Sequence, residues 1–413
     1  MTASEKLLLL VCVHERQAEI ARLLESIAGN NSLRGCPMLV INNARTPETI
    51  DGISQVCASV PGSRRTEVNR LSWPKLRSTI VQSDGMERRA ELDWLFELEL
   101  GQDGWSVHNA RNIGLIAARA LFPEYGSILH LDSDIEIPEA FELDEIPTVG
   151  LTCLQIDGCP DLSRLEWIAL LTFSLARKYF LTHSSHGQQY SLQIASQLPP
   201  AHIETILDEF TDVPTMRSGS TEGSILSFPT REEYHGACFI GSRQLLERCP
   251  FPQWFDNDWF VFQELRSPGA RVEFLPQRVT HRSARKKVFD RSWLLQEENG
   301  KILNCLHKRI VQGKSTADEC VESAMHERVA IIEGLLELAR RIREVPLTAP
   351  EHASIYCAII ALEQLLVDIR NINTDELLHY LRSFYTLRNS WQAWFEAKPS
   401  FVNCHSTVRQ LYG

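Results

Sequence analysis

The segment Ile128-Leu129-His130-Leu131-Asp132-Ser133-Asp134 narrows the possible folds more than any other stretch of the chain. A short apolar run ends abruptly in two carboxylates one residue apart. Such a run reads as a buried strand, and buried strands of this kind belong to parallel sheets with helices on both faces. Ligands of open α/β sheets bind beyond the carboxyl ends of the strands, where this acidic pair falls. Two carboxylates so close repel each other unless a cation lies between them, and Mg²⁺ or Mn²⁺ favours oxygen ligands. An acidic turn that caps the next segment uses the same residue types, so the tripeptide alone leaves both readings open.

The pattern around it is that of an α/β chain. Leu7–Val13 reads as the first strand and Ala18–Ile27 as a helix with Ile20, Leu23, Leu24 and Ile27 on one face. Met38–Ile41 reads as a second strand ending in the turn signal Asn42-Asn43, and Glu67–Leu71 as a weaker third. A helix is predicted over Met86–Leu100, and Ala110–Leu121 is a small-residue helix suited to close packing. Thr148–Gln155 reads as another strand. From Cys159 to Pro229 the pattern changes: Leu162–Thr182 is a strongly apolar helix, and Arg217–Ser227 reads as a mobile loop. Strand patterns return at Gly236–Gly241 and Arg271–Leu275. Beyond about residue 296 the chain reads as helical, with a capping-box spacing at Thr316-Ala-Asp-Glu319 and stripes over Val321–Ile342, Ser354–Ile369 and Thr374–Leu387. The expected division is an α/β domain over 1–295, with a helical insertion at about 159–230, and an all-α domain over 296–413.

Charge and cysteine usage bound the function. The 413 residues carry 42 Lys and Arg against 53 Asp and Glu, a formal charge of -11, which disfavours nucleic acid as the main partner. The early apolar run Leu7–Val13 falls well short of the roughly twenty residues of a bilayer span, and no transmembrane segment is expected in the chain. Acidic and polar residues flank it where a signal peptide would need other neighbours. Eleven scattered cysteines, none paired at metal-site spacing, suggest reduced thiols and a cytoplasmic protein.

Four further features carry chemistry. Asn109-Ala-Arg111-Asn112-Ile-Gly114 places a cation and an amide at a helix start, where negative groups are favoured. His235-Gly236-Ala-Cys-Phe-Ile-Gly241 is a glycine-bounded strand that leads on to Cys249-Pro-Phe-Pro-Gln-Trp254-Phe255. Asp256-Asn257-Asp258-Trp259 follows, an aromatic and acidic stretch suited to a sugar-like acceptor. Val279-Thr-His281-Arg282-Ser-Ala-Arg285-Lys286-Lys287 sets one histidine beside four cations, a candidate diphosphate and metal clamp with a solvated basic loop as its plainer reading.

In order and spacing these pieces resemble the family 2 inverting glycosyltransferases of the GT-A fold. The matching pieces are Val11-Cys-Val-His14-Glu15-Arg16 after strand one, Ala110-Arg111-Asn112-Ile113-Gly114, the Asp132-Ser133-Asp134 motif, Gly236–Gly241, the acids Asp256 and Asp258, and His281. The likeness covers about residues 6–290. It implies a Rossmann-like, mostly parallel sheet and a Mn²⁺ or Mg²⁺ cofactor. Asp134, Asp132 and His281 would serve the metal, and Asp258, or else Asp256, would be the general base. His14, Glu15, Arg16, Asn42, Asn43, Arg111, Asn112, Asp132, Ser133, Arg282, Arg285 and Lys286 would contact the nucleotide-sugar. His235, Gly236, Trp254 and Trp259 would contact the acceptor. The implied donor is a UDP-sugar first and a GDP-sugar second, and the acceptor a saccharide, small molecule or peptide. The family has an aspartate where this chain has Asn42, so the donor base stays open. Two alternatives remain: a nucleotidyltransferase on a related sheet, or an inactive scaffold binding a protein through its helical tail. The tail itself reads as a bundle packed on the catalytic part, with a homodimer face or a peptide groove as alternatives.

Overall fold

The computed structural model describes residues 7–61, 64–83, 94–100, 107–143, 150–158, 164–179, 238–254, 257–266, 272–282, 291–311 and 317–396. In chain order the elements are β1 (Leu7–Val13), α1 (Gln17–Gly29), β2 (Met38–Asn42), α2 (Pro47–Ser59), β3 (Arg65–Asn69), α3 (Trp73–Ser83), α4 (Trp94–Glu97), α5 (Val107–Leu121), β4 (Ser127–Asp132) and β5 (Ile135–Glu136). Then follow β6 (Leu151–Gly158), α6 (Arg164–Tyr179), β7 (Cys238–Ser242), α7 (Arg243–Leu246), α8 (Asn257–Arg266) and β8 (Val272–His281). Four long helices end the described chain: α9 (Arg291–Val311), α10 (Ala317–Arg343), α11 (Ala349–Arg370) and α12 (Thr374–Glu396).

The strands form one eight-stranded sheet in the order β3-β2-β1-β4-β7-β6-β8-β5. β1 pairs in parallel with both β2 and β4, β7 runs antiparallel between β4 and β6, and β6 and β8 are parallel. This is the Rossmann-like, mostly parallel sheet expected of a GT-A fold. The strand order reverses at β1, since β2 lies to one side of it and β4 to the other. That reversal opens a crevice beyond the carboxyl ends of β1 and β4.

Period-two alternation explains why β1 is apolar throughout. Leu7, Leu9, Val11 and Val13 belong to the core on one face, where Ile20, Leu23, Leu24 and Ile27 of α1 and Ile50 and Ile53 of α2 cover them. Leu8, Leu10 and Cys12 belong to the core on the other face, which contains the buried residues of α5 and α6. Gly114 lets α5 lie close on that face, because a Cβ there would sit 2.9 Å from Leu10 Cδ1.

The second core does not stop at residue 296. It continues without a break from Leu8 and Leu10 through Trp254 and Phe260 to Ile302, Leu306, Leu362 and Trp391. Trp94 lies with its ring centroid 5.5 Å from that of Trp391 and 6.1 Å from that of Trp394, both fully buried. By length and hydropathy alone α11 would suit a bilayer span, which the sequence reading did not foresee. Its Ile355, Ala358, Ile359, Leu362, Leu365 and Ile369 are core residues, while Tyr356, Ile360 and Val367 are exposed.

Besides the four-residue α7, three helices are absent from the sequence-based expectation. α2 has a weak stripe interrupted by Gly52, although Thr46 caps it (Thr49 N to Thr46 Oγ1, 3.2 Å) and Pro47 occupies its first turn. α3 begins at Trp73, whose indole donates to Leu98 O (2.9 Å). α8 forms where the aromatic and acidic residues suggested only a loop. β8 also reaches six residues further than expected, so His281 is its last residue. The sixth strand runs over Leu151–Gly158, and its expected start at Thr148 lies outside the described residues. The expected loop Arg217–Ser227 and the start of the capping box at Thr316 lie outside the described residues.

Candidate functional site at the sheet's switch point

Six segments meet at the crevice: the β1–α1 turn, the end of β2, the first turns of α5, the β4–β5 turn, the start of α8 and the end of β8. Arg111 of α5 stands at the centre and is almost fully buried. Its Nη2 donates to Asp132 Oδ2 (3.2 Å) and its Nη1 to Asn257 Oδ1 (2.8 Å), while Asp258 Oδ2 lies 3.9 Å from Nη1. The guanidinium also stacks over Phe251, 5.4 Å from the ring centroid. Burial works against the guanidinium charge, but Asp132 and Asp258 outweigh it, and the pKa of Arg111 is raised. Asp132 shows the opposite balance. Burial pushes its carboxyl up to about 7, Arg111 opposes this, and the Asp134 and Asp258 carboxylates add to the rise.

A second cluster lies at the β4–β5 turn. His281 Nε2 is 3.2 Å from Asp134 Oδ2. The pairing is built by backbone register: Ile135 sits opposite His281 in the β5–β8 ladder, and Arg282 N donates to Asp134 O (2.8 Å). Arg16, from the β1–α1 turn, reaches the same carboxylate at 3.4 Å and pairs with Glu19 at 3.0 Å. The exposed Arg282 guanidinium pairs with Glu136.

The third cluster forms the rim at β1 and β2. His14 Nδ1 donates to the Asn43 carbonyl (2.9 Å), and burial lowers the pKa of this imidazole. Glu15 adopts φ 54°, a left-handed conformation unusual for a side-chain-bearing residue, and lies 3.7 Å from Arg45.

Three sequence-predicted site residues are committed elsewhere. Asn42 is fully buried. Its amide donates to Ile50 O (3.1 Å) and Glu67 Oε1 (2.9 Å), and its oxygen accepts from Ala44 N (3.2 Å), so it braces the β2 turn instead of facing a nucleotide. Asn112 spends its amide on the main chain of Phe251, accepting from N (2.8 Å) and donating to O (2.9 Å). Trp254 is a core residue whose indole donates to Asn304 Oδ1 (2.7 Å) and whose ring meets Phe260 and Phe384 edge-on, so it presents no acceptor surface. Ser133 is buried within the acidic turn. His235, Gly236, Asp256, Arg285, Lys286 and the Trp259 side chain lie outside the described residues.

Sequence reasoning missed Asn257 and Glu67. Asn257 was hidden between two acids that drew the attention, yet it is the residue that holds Arg111. Glu67 accepts from Asn42, Ser54 (2.8 Å) and Asn69 (3.1 Å), and the alternation within β3, which sets it on the half-buried face opposite Thr66 and Val68, gave no hint of this role.

Among the described residues no three His, Cys, Asp or Glu side chains converge as a closed metal site. Asp134 and His281 nevertheless fit an open one. Mn²⁺ and Mg²⁺ commonly take one or two protein ligands and complete their shell with water and substrate phosphates.

No protein-family model and no curated protein matches the chain. Among solved structures it is similar to the mannosyltransferase PcManGT from Pyrobaculum calidifontis in complex with GDP-Man and Mn²⁺. Identity is 14 %, with 90 % of this chain and 89 % of that one covered at a TM-score of 0.43. It is also similar to glucosyl-3-phosphoglycerate synthase from Mycobacterium tuberculosis with Mn²⁺, uridine-diphosphate and phosphoglyceric acid (12 %; 68 % and 72 % covered; TM-score 0.34). A third likeness is to residues 1–349 of S. aureus TarS (12 %; 95 % and 92 % covered; TM-score 0.36). It is the chain's own strand order, with β7 antiparallel in an otherwise mostly parallel sheet, that gives it a GT-A-like fold.

Proposed function

We propose that the protein is an inverting, metal-dependent glycosyltransferase that moves a hexose from a nucleoside-diphosphate sugar to an acceptor hydroxyl. The observation that carries this reading is the meeting of the Arg111–Asp132–Asp258 cluster and the Asp134–His281 pair at one crevice. Asp134 and His281 would hold Mn²⁺ or Mg²⁺. When bound, that ion supplies a positive charge against the departing diphosphate. Arg16, beside Asp134, is placed to add a second cation, with Arg282 next in the chain to His281. Asp258, at the other arm of Arg111, takes the proton from the acceptor hydroxyl as its oxygen attacks the sugar's anomeric carbon. The new C–O bond forms as the old one breaks, and its electron pair leaves with the nucleoside diphosphate. Position fits Asp258 for the role, since its carboxylate stands 3.9 Å from Arg111 Nη1 at the crevice. The donor is a UDP-sugar in the first instance and a GDP-sugar in the second. Nine described cysteines are free thiols, which suits a reducing, cytoplasmic setting.

The test is thermal stability with UDP, GDP, CDP or dTDP, each with and without Mn²⁺. A ligand at 100 times its Kd adds about 2.7 kcal/mol, so a metal-dependent rise in Tm is expected with UDP or GDP. No rise with any nucleotide–metal pair would overturn the reading.

A further inference from the structure

The candidate general base stands at one end of α8, and the C-terminal helices hold the other end. Asp258 is the second residue of α8; Glu264 lies six residues on. Glu264 accepts from His307 Nε2 of α9 (2.6 Å) and from Arg388 Nη1 of α12 (2.9 Å). A carboxylate can only accept, so Nε2 carries the imidazole hydrogen, and in the neutral ring Nδ1 is left to accept from the Tyr385 hydroxyl (2.8 Å). Burial pushes the Tyr385 hydroxyl up to about 12, which keeps its proton in place for that bond. His307, Arg388 and Tyr385 therefore fix Glu264 from two helices at once.

The grip extends along the chain leading to the base. Phe260, one turn before Glu264, meets the His307 ring at 4.6 Å and the Phe384 ring at 5.0 Å. Trp254, just before α8, is tied to Asn304, one turn from His307 on α9. Further back, Trp391 and Gln392 of α12 donate to the carbonyls of Glu247 (2.7 Å) and Arg248 (3.0 Å). At the front, Asn257 and Asp258 are within reach of Arg111. α8 is thus a short lever, clamped behind by α9 and α12 and in front by Arg111.

We infer that His307, with Tyr385 and Arg388, is a positioning residue for Asp258: the C-terminal helices set where the base stands. This rests on the glycosyltransferase reading above. An alternative role, in which these helices only add bulk stability, predicts no selective effect on turnover. Positioning predicts one, because a displacement of about 1 Å can cost about 10²-fold in rate, while the nucleotide contacts at β1, β4 and β8 are untouched by this clamp.

The experiment uses the full chain and donor hydrolysis, with water as acceptor: nucleoside diphosphate release from UDP-glucose or GDP-mannose with Mn²⁺. His307→Ala should lower kcat about 10- to 100-fold and leave the donor KM and the Kd for UDP–Mn²⁺ or GDP–Mn²⁺ within about twofold, at temperatures well below its own Tm. Tyr385→Phe, which deletes one oxygen and keeps the ring, should lower kcat in the same direction by a smaller factor. Arg340→Ala, at an exposed pair with Glu363, is the control and should leave kcat unchanged. Amide hydrogen exchange of residues 257–266 should quicken in His307→Ala while that of α5 does not. Unchanged kcat and unchanged exchange in both variants would overturn the inference, as would loss of nucleotide binding in parallel with kcat. Should the wild-type protein bind no nucleotide–Mn²⁺ pair, the glycosyltransferase reading fails instead, and the exchange measurement still reports whether the clamp governs α8.

Discussion

Arg111 and Asp132 form the central ion pair of the candidate site, with guanidinium Nη2 and carboxylate Oδ2 at 3.2 Å. The cation is the more deeply buried partner, and its other arm serves Asn257 and faces Asp258. One buried charge therefore holds two carboxylates that would otherwise repel across the crevice. Removing it leaves both uncompensated, a change that costs about 3 kcal/mol or more when the pair is buried. Arg111→Met should lower the urea midpoint accordingly and abolish donor hydrolysis. Arg111→Lys should rescue little of either, because an ammonium cannot copy the planar fork that meets Asp132 and Asn257 together. Wild-type stability in the Lys variant would show that charge alone suffices.

Asn112 answers for the loop that carries this machinery. Its side chain closes both hydrogen bonds of the Phe251 main chain inside the core. Asn112→Ala strands a buried N–H and a buried C=O, each costing about 1–3 kcal/mol. A fall of about 2 kcal/mol or more in unfolding free energy is expected, with donor hydrolysis also reduced because Phe251 is the platform under Arg111. Asp at this position keeps the acceptor and loses the donor, and it should fall between the two.

The parts legible in the sequence were those written in local pattern. β1, β4 and α5 showed themselves because burial on both sheet faces leaves an unbroken apolar run, and because a strand ending in two acids has few other uses. The Arg111–Asp132–Asp258 meeting joins Arg111 to residues 21 and 147 positions further along the chain (132 − 111 and 258 − 111), and only the sheet order creates it. The hydrogen bonds of Asn42, Asn112 and Trp254 are not legible in the sequence, for a shared reason. Each is a polar-tipped residue beside a motif, and its hydrogen-bond partner lies on an element that local spacing does not reveal: Glu67 on β3, the Phe251 main chain and Asn304 on α9. α8 went unseen because its buried residues Phe260, Val261, Phe262 and Leu265 join a core whose other members lie far away in the sequence, among them Phe239 of β7 and Phe384 of α12.

The β5–β8 register places Asp134 and His281 together whether or not a cation is bound, so the two residues should contribute jointly to metal affinity. Mn²⁺ titration monitored by electron paramagnetic resonance, in the presence of UDP or GDP, should show about tenfold or greater weakening for Asp134→Asn and for His281→Ala. Asp132→Asn should weaken Mn²⁺ less than either, since Asp132 is turned toward Arg111. The reverse ranking would reassign the ligand within the acidic turn.

Thiol chemistry gives a check on burial that is independent of function. Burial pushes the Cys12 and Cys249 thiols far above their ordinary range, whereas Cys357 lies exposed on the outer face of α11. The thiolate is the reactive species, so iodoacetamide at pH 7.5 should modify Cys357 early and Cys12 and Cys249 only on unfolding. Peptide mapping that found Cys12 modified in the folded protein would contradict the packing of β1.

The acid limb of stability should report His108, one turn before Arg111 on α5. Burial, with the Arg111 charge adding to it, pushes this imidazole down to about 4. In the unfolded chain it titrates near its ordinary value of about 6.5. As pH falls from 7, the unfolded state takes up the proton first, and the folded state follows only near pH 4. Between those values the unfolded state binds more protons, so stability is fully present above about pH 6.5 and is lost as pH falls toward 4. Glu264, whose pKa is lowered, with His307 among the causes, acts in the same direction at lower pH, whereas Glu247 and Glu297, raised by burial, act oppositely. These groups are common to wild type and His108→Gln, so the difference between the two Tm profiles isolates the imidazole. The wild-type Tm should fall more steeply than that of His108→Gln between pH 6.5 and 4, and the two should run parallel above pH 7. Parallel profiles across the whole range would mean that His108 takes up its proton equally well in both states, and that the start of α5 is open to water.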